Sequence, residues 1–327
     1  MALRLVRGAV RAAVSLLLLA VSVVVACRVA GTDGVTPVPQ LLALLPWLLV
    51  PAGIALLGAA GLRWRTGVLW AVVALVVTAW FVRPYGAGAS APVPPGPVVA
   101  HLTVLTSNVE FGQATAGLID EVRRESARGR KPDLVFVEEC SLHCSALLDA
   151  RLPHALYPYR DIVREDGSKG SAILSVLPLD ATPGIPSTMA MPGARVALGG
   201  RTVRVQLAHP LPPIPGQVDD WRTELGRIRA YAAAGRGGPP TLIAGDFNAT
   251  RDHAAFRDLL AAGGLRDSAL YGGAAHTPSW PHAAPRPLGV QIDHVLVSRE
   301  FSVRDARFIG LSDTDHRALL VRLDLHG

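Results

Sequence analysis

The chain has 327 residues, half of them hydrophobic, with a formal net charge of +6 and a mean hydropathy of +0.33. That is too apolar for an ordinary soluble domain, and the excess sits in the first 83 residues, which carry seven Arg and one Asp. The positive charge is therefore confined to that segment: residues 84–327 balance 25 basic against 25 acidic groups and lack the basic footprint of a domain that neutralises many phosphates.

Three apolar runs come first, Ala12 to Cys27, Leu41 to Leu62 and Val68 to Val82. Crossing a bilayer takes roughly 20 apolar residues. The second run meets that length, and the flanking arginines of the other two, Arg11, Arg28, Arg65 and Arg83, are able to snorkel. Residues 1–83 thus read as a membrane anchor with three transmembrane helices; the first run also fits a signal sequence. Arg4, Arg7 and Arg11 precede the first span, and Arg63 and Arg65 lie between the second and third. The positive-inside rule puts both groups in the cytoplasm, with Arg28 and Arg83 on the opposite side. Three crossings then place everything after Arg83 outside, as the extracytoplasmic part of a multi-pass protein of the cell membrane.

Residues 84–99 form a Pro/Gly-rich linker, and residues 100–327 form one domain large enough for a full core. Its strands are expected at Leu102 to Glu110, Asp133 to Val137, Ser171 to Leu177, Arg195 to Leu198, Thr202 to Ala208, Thr241 to Ala244, Val290 to Val297, Val303 to Ile309 and Arg317 to Leu323. Helices are expected at Gln113 to Arg128, Gln217 to Ala234 and His253 to Ala262, and Gly199-Gly200 marks a hairpin. Helices and strands mix without strict alternation. That favours an α+β fold of two packed sheets covered by helices over a doubly wound parallel sheet. Cys140 and Cys144 stand four residues apart, a spacing that permits a disulfide in an oxidising compartment and equally two free thiols.

Several strands end in polar residues unsuited to a core. Gly245-Asp246-Phe247-Asn248 follows the apolar run Thr241 to Ala244, and Asp246 and Asn248 point the same way along an extended segment. A carboxylate beside an amide suits a divalent cation holding a phosphate, although Gly-Asp-x-Asn is also ordinary turn chemistry. Asn108 with Glu110, Glu139, His209, Asp293 and Asp315-His316 stand at other strand ends. Singly each has a bland reading: a turn former at Asn108, the solvated start of a helix at Glu138-Glu139, a loop histidine at His209, an edge pair at Asp293-His294. Taken together in this order they point to one site.

The joint pattern resembles the endonuclease/exonuclease/phosphatase superfamily, in the form of a membrane-anchored bacterial member. The resemblance covers Leu102 to Leu325. It rests on Asn108 with Glu110, on Glu139 preceded by Glu138 where the family usually has Gln, and on Gly170-Ser-Ala-Ile-Leu-Ser175. It rests further on His209, Gly245 to Asn248, Ile292-Asp293-His294 and Thr314-Asp315-His316, with Thr314 in place of Ser; the tyrosines at Tyr157-Pro-Tyr159 also look like the family's. The resemblance implies a DNase I-like four-layer sandwich, with two mainly antiparallel sheets flanked by helices. It also implies Mg²⁺- or Mn²⁺-dependent hydrolysis of a phosphoester, in nucleic acid, lipid or a small phosphate ester. Asn108, Glu139 and Asp315 would be the metal ligands; His209, Asp246, Asn248, Asp293 and His316 would be catalytic. The choice of general base stays open between Asp246 and His316. The alternative is a catalytically inactive binding or scaffold module of the same fold. No obligate protein partner is implied.

Overall fold

The computed structural model describes residues 2–83, 93–275, 277–284 and 289–327; most of the expected linker lies outside the described residues. Two compact units are found, one of Met1–Pro84 with Arg251–Ala254, the other of Tyr85–Thr250 with Ala255–Gly327.

The N-terminal unit consists of α1 (Ala2–Ala30), α2 (Val38–Ala43), a 3₁₀ turn (Leu45–Leu48), α3 (Leu49–Gly61) and α4 (Arg65–Val82). Among the described residues two helices, Arg4–Ala30 and Arg65–Val82, are long and apolar enough to cross a membrane, not the three expected. The second apolar run is divided because Pro46 opens the 3₁₀ turn and cannot donate the hydrogen bond that would continue α2. Small residues let the helix backbones approach closely. Ala52, Ala55 and Ala59 of α3 and Ala71 of α4 are fully buried, and a Cβ on Gly58 would lie 2.7 Å from Val14. Leu18, Leu42 and Leu45 fill the space between the helices, while other apolar side chains face outward, with Leu57 74% and Leu16 67% exposed.

Strand alternation builds the larger unit. The first sheet holds β1 (Val98–Asn108), β2 (Leu134–Glu138), β3 (Tyr159–Val163), β4 (Ser171–Ser175), β11 (Phe301–Gly310) and β12 (Arg317–His326), in the order β11-β12-β1-β2-β4-β3. The second holds β5 (Leu179–Ile185), β6 (Met191–Leu198), β7 (Arg201–Ala208), β8 (Thr241–Asp246), β9 (Arg266–Asp267) and β10 (Asp293–Val297), in the order β5-β6-β7-β8-β10-β9. Each sheet is mixed. Its central pair, β1–β2 or β7–β8, is parallel, and its other pairings are antiparallel.

One set of alternate residues faces the other sheet. Leu102, Val104, Leu134 and Phe136 pack against Val203, Val205, Leu242 and Ala244 in a single buried cluster. The opposite set of the first sheet, with Leu105, Val135 and Val137, packs under α5 (Thr115–Ala127) and α6 (Leu142–Arg151). Ile243 and Leu296 of the second sheet pack under α7 (Val218–Gly235) and α8 (Ala254–Gly263); a short α9 (Ser268–Tyr271) follows β9. The result is the expected helix–sheet–sheet–helix layering.

Gly199 and Gly200, with φ of 57° and 76°, close the expected hairpin between β6 and β7. Besides the short β9 and α9, three longer elements were not expected from the sequence. They are α6, the polar edge strand β3, and β5, whose Pro183 and Gly184 are tolerated because it too lies at a sheet edge. β1 begins at Val98, inside the range expected for the linker.

Gly245 is the tightest point between the parallel strands of the second sheet. It sits opposite Ala208 with φ +148°, and a Cβ there would meet the Ala208 carbonyl oxygen at 2.0 Å. Gly245→Ala is expected to cost more than about 3 kcal/mol, at the upper end for single substitutions. Thermal unfolding of the full chain checks this against Gly200→Ala, where the added Cβ meets nothing within 4 Å. Equal losses from both would trace the effect to backbone conformation instead of close approach.

Candidate active site

The apolar core between the sheets turns polar at one edge, and the topology dictates which. Both central parallel pairs end there, bringing Asn108 and Glu138 at the ends of β1 and β2 toward His209 and Asp246 at the ends of β7 and β8. The antiparallel neighbours β10 and β12 start at the same edge, so Asp293 and His316 join them. Asp293 pairs in register with Asp246 across β8 and β10.

At the centre the His316 Nδ1 lies 2.9 Å from Asp293 Oδ2, and its Nε2 lies 3.7 Å from both Asp246 Oδ2 and Asp315 Oδ1. Asn108 Nδ2 donates to Asp246 Oδ2 (3.2 Å) and to Glu139 Oε1 (3.0 Å). The other Glu139 oxygen accepts from the Phe111 backbone N–H at 3.0 Å. His209 is buried, with Nε2 3.9 Å from Glu139 Oε1 and no partner at Nδ1 among the described residues. Asn248 accepts nothing from Asp246; its backbone N–H donates to Asp246 Oδ1 (2.8 Å), and its side-chain amide donates to the Pro210 carbonyl (3.0 Å). All eight expected site residues thus belong to one network.

The strand ends adopt unusual backbone to achieve this. Glu139 and Asn248 have φ of 55° and 47°, left-handed values that non-glycine residues seldom take, as do Glu110 and Phe111 in the loop after β1. The hydrogen bonds from Phe111 and Asn248 N–H groups to the site carboxylates hold two of these turns. A third tie follows Glu139 directly: Cys140 and Cys144 are joined by a disulfide, which fixes the first turn of α6 beside it.

Burial and neighbouring charge set the protonation states. Burial pushes Asp246 up, only partly offset by the His316 charge, and it titrates at about 7. Burial opposes a charged His316, but Asp293 and Asp246 outweigh it and lift the imidazole to about 10. Burial, reinforced by the His316 charge, pushes His209 down to about 3, so it stays neutral. Glu138 lies beneath these groups, fully buried. Burial first, then the negative charges of Asp293 and Asp246, raise its pKa well above the carboxylate range.

The donor chemistry fits a divalent cation. Asp246, Asp293 and His316 present ligand atoms within 4.8 Å of one another, and the Asp293 Oδ1 is buried without a partner among the described residues. Carboxylate oxygens dominate the whole cluster, as a hard cation requires. The expected ligands are placed less uniformly. Glu139 and Asn108 are adjacent, but Asn108 turns its N–H toward the carboxylates while its Oδ1 accepts from the Glu110 N–H. Asp315 is half exposed and accepts from the Trp280 indole at 2.6 Å.

Sequence reasoning missed Glu138 as a buried acid, because paired acids at a strand end resemble a solvated helix start. It also missed Ser279, whose hydroxyl accepts from the Ile292 and Asp293 N–H groups, and Trp280; both lie in an irregular loop with no periodic signal. His294 alternates to the opposite face, where it contacts Asp267 and Phe256 and has no place in the site. Tyr157 is a core residue whose hydroxyl donates to the Pro132 carbonyl.

The two layered mixed sheets and their polar seam define the class. Residues 105–316 match the model of the Endonuclease/Exonuclease/phosphatase family, about two thirds of the chain, and the protein belongs to that family. Solved structures with the same fold include D. rerio TDP2 complexed with single strand DNA product, with 14% identity, 68% of this chain and 98% of that chain covered, and a TM-score of 0.54. An AP endonuclease from Archaeoglobus fulgidus follows, with 15% identity, coverage of 67% and 98% and a TM-score of 0.52. The human Nocturnin catalytic domain with bound sulfate anion has 14% identity, coverage of 70% and 96% and a TM-score of 0.53. No curated protein sequence matches the chain. Family membership and the cluster of two carboxylates and an imidazole support a phosphoester hydrolase able to hold a divalent metal.

Two stability effects follow from the protonation states. For His209, the unfolded chain takes up a proton below pH 6.5 and the folded chain only near pH 3, so stability falls with pH across that window. The slope is about 1.4 kcal/mol per pH unit. Unfolding of the metal-free full chain between pH 7 and 4 should show a flatter acid limb in His209→Asn. For Glu138 the sign reverses. The folded carboxyl stays protonated while the unfolded one ionises above about 4.5, so its contribution is lost as pH rises. Glu138→Gln should therefore raise Tm at pH 8 more than at pH 5.

Proposed function

We propose that the protein is a Mg²⁺- or Mn²⁺-dependent phosphoester hydrolase, held in a membrane by its N-terminal helices with residues 100–327 facing outward as the catalytic domain. The observation that carries the chemistry is the placement of Asp246, buried opposite Asp293 and 3.7 Å from His316 Nε2, where burial pushes its carboxyl up to about 7. A group poised there is matched to proton transfer at neutral pH. Asp246 takes the proton from the attacking water, while Asn108 and the Asn248 backbone N–H hold its carboxylate in place. His316, kept protonated by Asp293, donates to a non-bridging phosphoryl oxygen where charge develops. His209 and the second amide hydrogen of Asn248 face the same oxygens as neutral donors. Glu139 and Asp315 would hold the cation, with Asn108 orienting Glu139 through its amide N–H. The chemistry that a cation held there would supply is Lewis-acid polarisation of the phosphoryl group and neutralisation of charge on the leaving oxygen.

The anchor reading draws on exposure. Only 28% and 22% of the apolar windows of α1 and α4 are buried, whereas a core helix of a soluble protein would be mostly covered. Facing outward requires an odd number of crossings. Leu45–Gly61, a 3₁₀ turn continued by α3, extends about 28 Å against about 30 Å of hydrocarbon, close to a third crossing. The Cys140–Cys144 disulfide supports the same side, since such bonds persist in oxidising compartments. The substrate is a phosphoester of a small molecule, lipid or nucleic acid strand; the zero net charge of residues 84–327 disfavours a long polyanion.

A substrate panel on the full chain in detergent tests this, with single-stranded DNA, RNA, sphingomyelin, phosphoinositides and a bis-phosphodiester, each with Mg²⁺ and with EDTA. Cleavage is expected with Mg²⁺ and lost with EDTA; no cleavage of any of them would favour a binding module. Asp246→Asn and His316→Ala should each lower kcat by roughly 10²–10⁴. The pH profile should be bell-shaped. Activity rises as Asp246 loses its proton near 7 and falls as His316 loses its own near 10. Glu139→Gln should raise the Mg²⁺ concentration at half-maximal rate by about tenfold, with Asp293→Asn lowering kcat at unchanged metal dependence. The reverse pattern would move the ion to Asp246, Asp293 and His316.

A further inference from the structure

A second charged concavity lies in the N-terminal unit. The first turns of α1 and the short loop from α3 into α4 together wall a cavity of about 560 Å³. Arg7 and Arg11 line it from α1; Arg63, Trp64, Arg65 and Thr66 line it from the loop and the start of α4. Arg63 takes a left-handed φ of 54°, so the chain reverses within three residues and presents Arg63 and Arg65 to the same space. The Arg11 guanidinium stacks on the Trp64 ring at 4.6 Å, and Trp64 is itself packed down on Gly67, where a Cβ would come within 2.2 Å of the indole.

Nothing in the wall offsets these charges. Asp33 is the sole acid in the first 83 residues, and no ion pair involves the four arginines among the described residues. The Trp64 indole nitrogen is buried and has no acceptor among the described residues. Four like charges around one hollow repel one another and raise the local potential, and an anion relieves both. Guanidinium forks match phosphate oxygens two at a time, which a single ammonium does not.

We propose that this cavity binds the phosphate head group of an anionic phospholipid. The inference rests on reading α1 and α4 as membrane helices. It favours a lipid over a free phosphate because apolar side chains continue from the rim along both helices, with Leu16 67% and Leu69 66% exposed where acyl chains would lie. Basic pockets between helices at the cytoplasmic face of a bilayer bind such head groups, and the arginine pattern places this end of the unit there. Arg63, whose side chain is exposed, supplies a charge to the pocket without bearing on helix packing.

Native mass spectrometry of the full chain, released from nanodiscs of phosphatidylcholine with phosphatidylglycerol, tests the proposal. One retained phosphatidylglycerol per chain is expected, at least tenfold over phosphatidylcholine. The double variant Arg11→Gln, Arg63→Gln should lose that selectivity about tenfold. Arg83→Gln, at the other end of α4, should keep it. The conservative pair Arg11→Lys, Arg63→Lys retains the charge that orients the helices and should fall between, which separates lipid recognition from topology. Equal retention of both lipids, or selectivity unchanged in the double glutamine variant, would overturn the pocket. Glycerol 3-phosphate bound as tightly as the lipid would reassign it to a soluble anion. Carbonate extraction run alongside separates the two levels: a chain released to the supernatant removes the membrane reading itself, whereas a chain retained in the pellet without lipid selectivity removes only the pocket.

Discussion

Two buried carboxylates share one imidazolium, and the larger unit is arranged around that compromise. Asp246 and Asp293 lie opposite each other on neighbouring strands, both almost fully buried, where two bare negative charges would be prohibitive. His316 enters from the other sheet and lies against both. Removing His316 would leave two buried carboxylates with no counter-charge, whereas removing either carboxylate leaves a single ion pair. Burial sets the protonation of its surroundings and the cluster reinforces it: His209, buried beside the His316 charge, stays neutral, and the pKa of Glu138, buried beside the two carboxylates, is raised.

The sheets supply the means of bringing these groups together. Each has its parallel pair in the middle, flanked by antiparallel strands, so the ends of β1, β2, β7 and β8 meet the starts of β10 and β12 at one edge. The alternation that fills the middle of the sandwich with Leu, Val and Phe continues to that edge and places Asn108, Glu138, Asp246 and Asp293 on the inward set. The site is an extension of the core in which the residue types change and the geometry does not. This also accounts for His294, one residue from Asp293 and yet outside the site.

Much of this was legible in the sequence where local chemistry and tertiary environment agree. Gly245-Asp246-Phe247-Asn248 announces a tight turn after a buried strand, and it forms one, with Gly245 supplying the close approach that no other residue permits. Glu138 was not legible, because its character comes from burial in the folded sandwich and then from Asp293 and Asp246, more than a hundred residues further along the chain. Trp280 and Ser279 act from a loop whose contacts only the folded chain defines. In the N-terminal unit the average hydropathy from Leu41 to Leu62 is high enough for a span, but the proline at position 46 interrupts backbone hydrogen bonding, which an average over side chains does not register.

The strand order carries a consequence for how the protein is made. β12 sits between β11 and β1, so the first strand of the larger unit stays without its antiparallel neighbour until the last strand has left the ribosome. His316 immediately precedes that strand. At ordinary translation rates the interval between the two strands is on the order of tens of seconds, and Asp246 and Asp293 enter the nascent chain only in its later part, seconds ahead of their counter-charge. The buried cluster is therefore completed last, and β1 is an unpaired edge in need of protection until then.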